Sequence, residues 1–348
     1  MKYLITGGSG FLGINLIRFL LEKEKDCEIT SLDIRKFNYP EKTKIHPLLG
    51  DIRSKFDLDA ALSNKPDFVI HCAAALPLYS KEEIFSTDVD GTKLVLERSF
   101  NKKVKKVIFI SSSAVYAEQN GVLSVETDKL LGRNFYSEAK ILAEQICFDY
   151  QKRGYCVPVL RPKTFIGEER LGTFAILYKW AREGYNFPLI GDGKNKYQFL
   201  DVEDLCDVIY SIILNNSSEA NDVFNVAAKE FSTMQEDYQA VLDLAGFGKK
   251  IKPFPASIAI FGLSILSKLH LSPIYPWIYE TAGKDSIISI EKAEKILGFS
   301  PKFSNKEALE KNFKWYLLHY KEYENLSGVS NSVPWKDGAL DVIKKFYK

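Results

Sequence analysis

The sequence predicts an α/β protein: a doubly wound parallel sheet followed by a smaller, mostly helical C-terminal lobe. Three observations carry that expectation. Short apolar runs alternate with amphipathic ones through the first half, the pattern of a parallel sheet flanked by crossover helices. The first apolar run ends in a glycine-rich turn that opens directly into a helical pattern at Phe11. Beyond about Pro162 the rhythm loosens into helices with a few short strands, and proline and glycine become frequent. The 348 residues are 46% hydrophobic, enough chain to bury a large core, and 47 Lys+Arg stand against 45 Asp+Glu. The resulting net charge of +2 and this composition exclude a disordered chain and a strongly cationic nucleic-acid binder.

Strands are expected over residues 2–6, 28–33, 45–49, 68–71, 107–111 and 157–161, each a short aliphatic run bounded by polar or turn residues. Helices fill the gaps, notably 11–23, 88–100 and 136–152, where apolar residues recur at helical spacing. Residues 1–162 are read as the sheet domain and 163–320 as a substrate lobe, with segments returning to the first domain. Residues 321–348 are read as a C-terminal tail helix. Open sheets of this kind bind ligands beyond the C-terminal ends of their strands, so the lobe is expected to close there.

The glycine turn reads Thr6-Gly7-Gly8-Ser9-Gly10-Phe11-Leu12-Gly13. Gly7 permits the tight turn, Gly10 lets backbone approach a pyrophosphate, and Gly13 allows close helix packing. The amides at the helix start then face the phosphates. Asp33 ends the second strand, 20 residues after Gly13, where a carboxylate accepts hydrogen bonds from an adenosine ribose. That choice favours NAD over NADP, with Arg35 close enough to complicate it; the plain alternative for Asp33 is a surface carboxylate or turn cap.

Tyr136 and Lys140 stand four residues apart on one helix face. A lysine beside a tyrosine favours phenolate, which can take a proton from a substrate alcohol while hydride leaves for nicotinamide. On its own the pair is equally a solvated helix surface. The run Ser111-Ser112-Ser113-Ala114-Val115-Tyr116 follows an apolar strand and supplies a hydroxyl for the same substrate oxygen, or simply a strand-ending turn.

Taken in order, the glycine loop, Gly50-Asp51-Ile52-Arg53, His71-Cys72-Ala73-Ala74, Val89-Asp90-Gly91-Thr92, the serine run and Tyr-x-x-x-Lys resemble an extended short-chain dehydrogenase/reductase of the NAD-dependent epimerase/dehydratase family. The resemblance spans about residues 1–320 and includes Gly191-Asp192-Gly193 and Asp201-Val202-Glu203-Asp204-Leu205. It implies a Rossmann-type sheet and NAD as cofactor. It makes Ser112 the catalytic hydroxyl, Tyr136 the base, and Lys140 its pKa-lowering partner and ribose ligand. By the same resemblance Phe11 and Leu12 lie in the cofactor loop, Asp51 and Ile52 by the adenine, Ala73 and Ala74 along the cofactor, and Pro162 near the carboxamide.

Departures from the family pattern narrow the chemistry. Family dehydratases resemble one another in an acidic pair after the catalytic threonine, and related decarboxylases carry a glutamate in the second of those places; here stand Ser113 and Ala114. What remains is reversible oxidation: epimerisation of a nucleotide sugar, or dehydrogenation of an apolar alcohol resembling a hydroxysteroid. A non-catalytic dinucleotide-binding protein is the third class. Thr164 replaces a customary asparagine, Tyr197 a customary arginine, with Lys196 beside it to supply charge, and Ala282-Gly283-Lys284-Asp285 replaces Arg-x-Gly-Asp. Ser113, Thr164, Lys196 and Tyr197 are therefore the expected substrate contacts. Asp88 occupies another customary asparagine position.

From Pro253 to Tyr279 the only fully charged residue is Lys268. This stretch reads either as lobe core with a dimer or lid surface, or as an apolar substrate pocket or shallow membrane contact. The tail from Lys336 to Lys348 is either a docked helix or one lying on a bilayer. No run reaches the roughly 18 apolar residues of a transmembrane span. Five scattered cysteines without a C-x-x-C pair, and a first strand directly after Met1, point to a reducing, cytoplasmic compartment. Four histidines offer no metal-ligand spacing, nothing specifies nucleic acid, and the resemblance implies a homodimer.

Overall fold

A computed structural model describes residues 1–116, 123–268, 279, 281–323, 326 and 343–348. Seven strands form the main sheet: β1 (Lys2–Thr6), β2 (Glu28–Asp33), β3 (His46–Leu49), β4 (Phe68–His71), β5 (Lys106–Ile110), β6 (Val159–Pro162) and, much later in sequence, β10 (Val223–Val226). Their spatial order is β10-β6-β5-β4-β1-β2-β3, and every pairing is parallel. The chain winds outward from β1 to β3, then restarts at β4 on the other side of β1. That reversal opens a crevice at the C-terminal ends of β1 and β4, the usual ligand position in such sheets.

Helices cover both faces, which is why the central strands read as continuous apolar runs. Tyr3 and Ile5 turn to one face, against α1 (Phe11–Lys23) and the returning helices α7 (Val202–Leu214) and α10 (Glu291–Leu297). Leu4 turns to the other, with side chains of α2 (Lys55–Ala61), α4 (Thr92–Asn101) and α5 (Phe135–Lys152). Between α3 (Lys81–Phe85) and α4 the chain makes one π turn, Ser86–Gly91, so the helix expected over 88–100 begins in widened geometry. The expected bounds hold for β1, β2 and β4, and differ by one or two residues for β3, β5 and β6, where the hydrogen-bonded ladder and the apolar run do not end together.

A third core builds the lobe: β7 (Thr164–Ile166) with β9 (Phe199–Asp201), β8 (Phe187–Ile190) with β11 (Ile251–Phe254), and α6 (Phe174–Arg182), α8 (Met234–Ala245) and α11 (Asn305–Tyr323) around Tyr178, Phe313 and Trp315. Buried Asn305 fastens it, donating to Asp237 Oδ2 and to the Tyr197 carbonyl, both at 2.7 Å. The apolar helix α9 (Ala256–Lys268) differs from the core reading: Ile258 and Phe261 are 58% and 69% exposed, and none of its described side chains is buried. Of the tail helix expected over residues 321–348, Lys321–Tyr323 end α11 and Lys344–Tyr347 form a single 3-10 turn; most of that span lies outside the described residues.

Candidate active site

The glycine loop fits the crevice for steric reasons that can be stated atom by atom. Gly7 has φ +71°, and a Cβ there would meet the Ala73 amide nitrogen at 2.7 Å. A Cβ on Gly13 would meet the Gly7 carbonyl oxygen at 2.3 Å, so the first turn of α1 lies directly on the loop. Gly10 caps α1 without a side-chain hydrogen bond, which leaves the first amides of the helix available to an anion. Beneath the loop, buried His71 joins Thr6 Oγ1 at 2.7 Å and Thr92 Oγ1 at 3.0 Å, locking β1, β4 and α4 together. At the end of β2, Asp33 is buried and accepts hydrogen bonds from the amides of Ser9 at 2.9 Å and Arg35 at 2.8 Å. Both carboxylate oxygens are thereby fixed in orientation, and the Arg35 side chain lies beside them, with Nε 3.6 Å from Oδ1.

A cavity of ≈ 1420 Å³ runs from this crevice into the lobe. Gly7, Gly10, Phe11, Leu12, Gly13, Asp33, Asp51, Ile52, Ala73, Ala74 and Pro162 line it, and so do Ser112, Ser113, Tyr136, Lys140, Thr164 and Tyr197. The asparagine cap of α5, Asn134, accepts from the Ser137 amide at 2.9 Å and starts the helix so that Tyr136 lies in its first turn. Tyr136 packs on Ala75, Ile84 and Ala139 and shares a hydrogen bond with Ser112. Lys140 is buried, with Nζ 5.7 Å from the centroid of the Tyr136 ring and donating to the Ile110 carbonyl at 3.3 Å. Enclosure pushes the Tyr136 phenol above its ordinary pKa, and the Asp88 carboxylate adds to the rise; the Lys140 ammonium and the Ser112 hydrogen bond pull it back.

The same arrangement gives a pH prediction. Phenolate is the basic form, so activity that uses it rises with pH through the tyrosine pKa. Lys140→Met removes a cation that lowers that pKa, and the rising limb of the kcat–pH profile is expected to move to higher pH. An unmoved limb would separate Lys140 from the phenol's ionisation.

Two buried groups hold this arrangement: Glu144, which the sequence motifs do not mark, and Asp88, whose position they mark without a role. Glu144, one turn beyond Lys140 on α5, is wholly buried and receives Arg161 Nη2 at 2.6 Å and Nε at 3.0 Å, while Ser111 donates to it at 2.5 Å. Arg161 Nη1 continues to Tyr116 Oη at 2.8 Å, and Tyr116 donates to Asn225 on β10 at 2.7 Å. The network ties the helix of Tyr136 and Lys140 to the ends of β5, β6 and β10. Asp88 supplies the second support: Oδ1 accepts from the Ala75 amide at 2.8 Å, holding the loop after β4, a role its amide counterpart also fills. The helical period of four on α5 could have singled out Glu144; no sequence signal separates Asp88 from its position in the motif.

Known proteins match this chain along most of its length. The NAD dependent epimerase/dehydratase family matches residues 3–227. The chain belongs to that family. It is accordingly an NAD-dependent enzyme. An uncharacterized protein, y4nG, of Sinorhizobium fredii is 31% identical over 343 residues, covering 98% of this chain and 85% of that one. A UDP-N-acetyl-alpha-D-glucosaminuronate decarboxylase of Bacillus cytotoxicus is 26% identical, covering 93% and 99%. A decarboxylating sterol-4-alpha-carboxylate 3-dehydrogenase of Mus musculus is 28% identical, covering 89% of each chain. Among solved structures, UDP-glucose 4-epimerase of Thermotoga maritima with UDP-glucose superposes with TM-score 0.76 at 22% identity, covering 92% and 100%. UDP-glucuronic acid 4-epimerase of Bacillus cereus with NAD gives 0.75 at 22%, again covering 92% and 100%.

The residues present fit the family's cofactor. The helix-start amides suit its pyrophosphate, the Cβ-free approach of Gly7 to Ala73 leaves the crevice open, and Asp33 suits a ribose diol. Asp33→Ala is expected to weaken NAD binding about 10- to 100-fold, the scale of lost charged hydrogen bonds, and NADP binding less. Equal losses in titrations with the two nucleotides would remove the ribose assignment. Asp51 lines the same end, with its carboxylate held by Arg53 Nη2 at 2.6 Å. Against the epimerase family's diphosphate contacts the picture is mixed. Thr164 and Tyr197 line the cavity and hydrogen-bond each other at 2.8 Å. Lys196, expected to supply charge, is exposed and lies outside the cavity lining, its amide bonded to Asp285 at 2.7 Å. The segment is extended there, so adjacent side chains point opposite ways and only Tyr197 turns inward.

Proposed function

We propose that the protein is an NAD-dependent epimerase of a nucleotide sugar, similar to UDP-hexose 4-epimerases, acting through a transient keto intermediate. The convergence of Ser112, Tyr136 and Lys140 at the inner end of the cofactor crevice carries this reading. Tyr136 as phenolate takes the proton of the sugar hydroxyl, and Ser112 donates a hydrogen bond to the same oxygen. NAD, held by the glycine loop and Asp33, would supply the acceptor and then the donor of the carbon-bound hydrogen as hydride, on opposite faces of the keto sugar as it turns. Tyr136 gives the proton back as the alcohol reforms, so the cycle closes without net redox change. Lys140 holds the phenolate between the two transfers. Ser113 and Ala114 follow Ser112 in the cavity, offering no carboxyl group to expel water or to assist decarboxylation. The resemblance and the half-buried or buried state of all five unpaired cysteines favour a homodimer in a reducing cytoplasm; no helix among the described residues is long and apolar enough to cross a membrane.

A second reading, a dehydrogenase of an apolar alcohol, rests on the lobe side of the cavity, where Phe165, Phe174, Leu177, Trp180, Phe199 and Leu263 form the wall. The sterol dehydrogenase relative points the same way. Incubating NAD-saturated protein with UDP-glucose, UDP-galactose and their N-acetyl counterparts, and separately with a 3β-hydroxysterol, separates the two. Interconversion of a sugar pair without net NADH is the expected result; net NADH from the sterol with no turnover of any sugar would overturn it.

A further inference from the structure

Two cations in the cavity have no acidic partner among the described residues. Lys163 is 3% exposed; its Nζ donates to Ser286 Oγ at 2.6 Å and lies 4.2 Å from the centroid of the Tyr197 ring. Arg170 has its guanidinium carbon 5.4 Å and 5.7 Å from the ring centroids of Phe11 and Phe174, and its Nε is buried without a hydrogen bond. Neighbouring carboxylates are engaged elsewhere: Glu169 with Arg18 at 3.1 Å and Tyr323 at 3.0 Å, and Asp285 with the Lys196 amide. Burial lowers the Lys163 pKa to about 7, and lowers that of Arg170 to about 10 against a smaller opposing pull from the Tyr178 and Tyr197 phenols. An enclosed cation without a counter-charge weakens the folded state, and a sequence keeps two of them in one cavity where a ligand supplies the anion.

We propose that Lys163 and Arg170 hold the diphosphate of the substrate, in place of the arginines that family members carry at the positions of Tyr197 and Ala282. The inference rests on the reading of the substrate as a sugar diphosphate and assigns its anionic part to new residues. The guanidinium offers a planar fork to phosphate oxygens and the ammonium a point charge beside them. Tyr197 forms the wall against which Lys163 is held. A diphosphate ester has two sources that fit this cavity, a nucleoside diphosphate or an isoprenoid diphosphate against the apolar wall.

The test uses full-length protein saturated with NAD, so that the glycine-loop anion site is filled, and calorimetric titration with UDP, farnesyl diphosphate and inorganic pyrophosphate. At least one diphosphate is expected to bind, about 10-fold or more weakly to Lys163→Met and to Arg170→Met, with Lys163→Arg close to wild type. NAD affinity is expected to hold in all variants. Thermal unfolding without diphosphate provides the second readout: removing an unpaired buried charge is expected to raise the midpoint of Lys163→Met, whereas a purely structural role for its bond to Ser286 predicts a lower one. Equal diphosphate affinity in wild type and variants, no binding to wild type, or losses confined to NAD would overturn the proposal. Binding of farnesyl diphosphate but not UDP, lost in both variants, would support the anion site and overturn the nucleotide-sugar reading.

Discussion

Tyr136→Phe is expected to lower kcat about 10²- to 10⁴-fold, the range a positioned general acid–base contributes, while leaving NAD affinity nearly unchanged. The phenylalanine ring keeps the contacts that Tyr136 makes with Ala75, Ile84 and Ala139, so only the hydroxyl is removed. Without it, Ser112 retains a hydrogen bond to the substrate oxygen but nothing in that place accepts the proton. Steady-state kinetics beside a fluorescence titration of NAD reads both quantities. Activity retained within a few-fold would take the phenol out of the reaction, and a parallel loss of NAD binding would recast it as a cofactor ligand.

Glu144→Gln is expected to destabilise the protein by about 3–5 kcal/mol, because it leaves Arg161 charged and buried without its counter-ion. The arginine is 3% exposed and the glutamate 0%, so water cannot compensate. The amide keeps the shape of the side chain, which isolates the charge from any cavity effect. The pair is not an efficient way to gain stability; an apolar replacement of both partners would cost far less than breaking one. What it does is fix α5 against β5 and β6 through Ser111 and Tyr116, and so fix the phenol against Ser112. Urea unfolding measures the loss, and an unchanged midpoint at unchanged slope would show that the pair is dispensable.

The two halves of the molecule were not equally legible from sequence. The first strand, its glycine turn and α1 announce themselves because three local signals agree: an aliphatic run, glycines at fixed offsets and a helical period starting at Phe11. Gly7 and Gly13 stand where an added Cβ would fall within 3 Å of neighbouring backbone atoms, a demand no other residue meets. The last strand of the sheet, β10, gave no such signal. Val223-Phe224-Asn225-Val226 is four residues long and buried throughout, so it has neither alternation nor length, and its partner β6 lies over sixty residues earlier.

The site was legible where chemistry is carried by a motif and obscure where it is carried by burial. Ser112, Tyr136 and Lys140 share a cavity as their motifs implied. Lys163 and Arg170 look in sequence like any charged residue near a turn; only the folded chain shows that, among the described residues, no carboxylate meets them. Lys196 shows the converse, since its neighbour Tyr197 occupies the family position and faces the cavity while Lys196 faces water. The apolar stretch beginning at Pro253 left core, pocket and surface open, because an unbroken apolar run has no polar face to fix its orientation. In the structure α9 serves two of these: Ala259, Leu263 and Leu266 line the cavity, while Phe261 and Ile265 are exposed.

The central claim, a closed cycle in which the sugar is oxidised and reduced again without exchange of cofactor, is tested most directly by the nucleotide carried by freshly purified protein. Its amount and redox state can be read by mass after denaturation and by absorbance in the reduced-nicotinamide band. The account predicts close to one NAD or NADH retained per chain, with no net NADH released on adding the nucleotide sugar. Protein that purifies empty, binds NAD reversibly and releases one NADH for each alcohol consumed would contradict it.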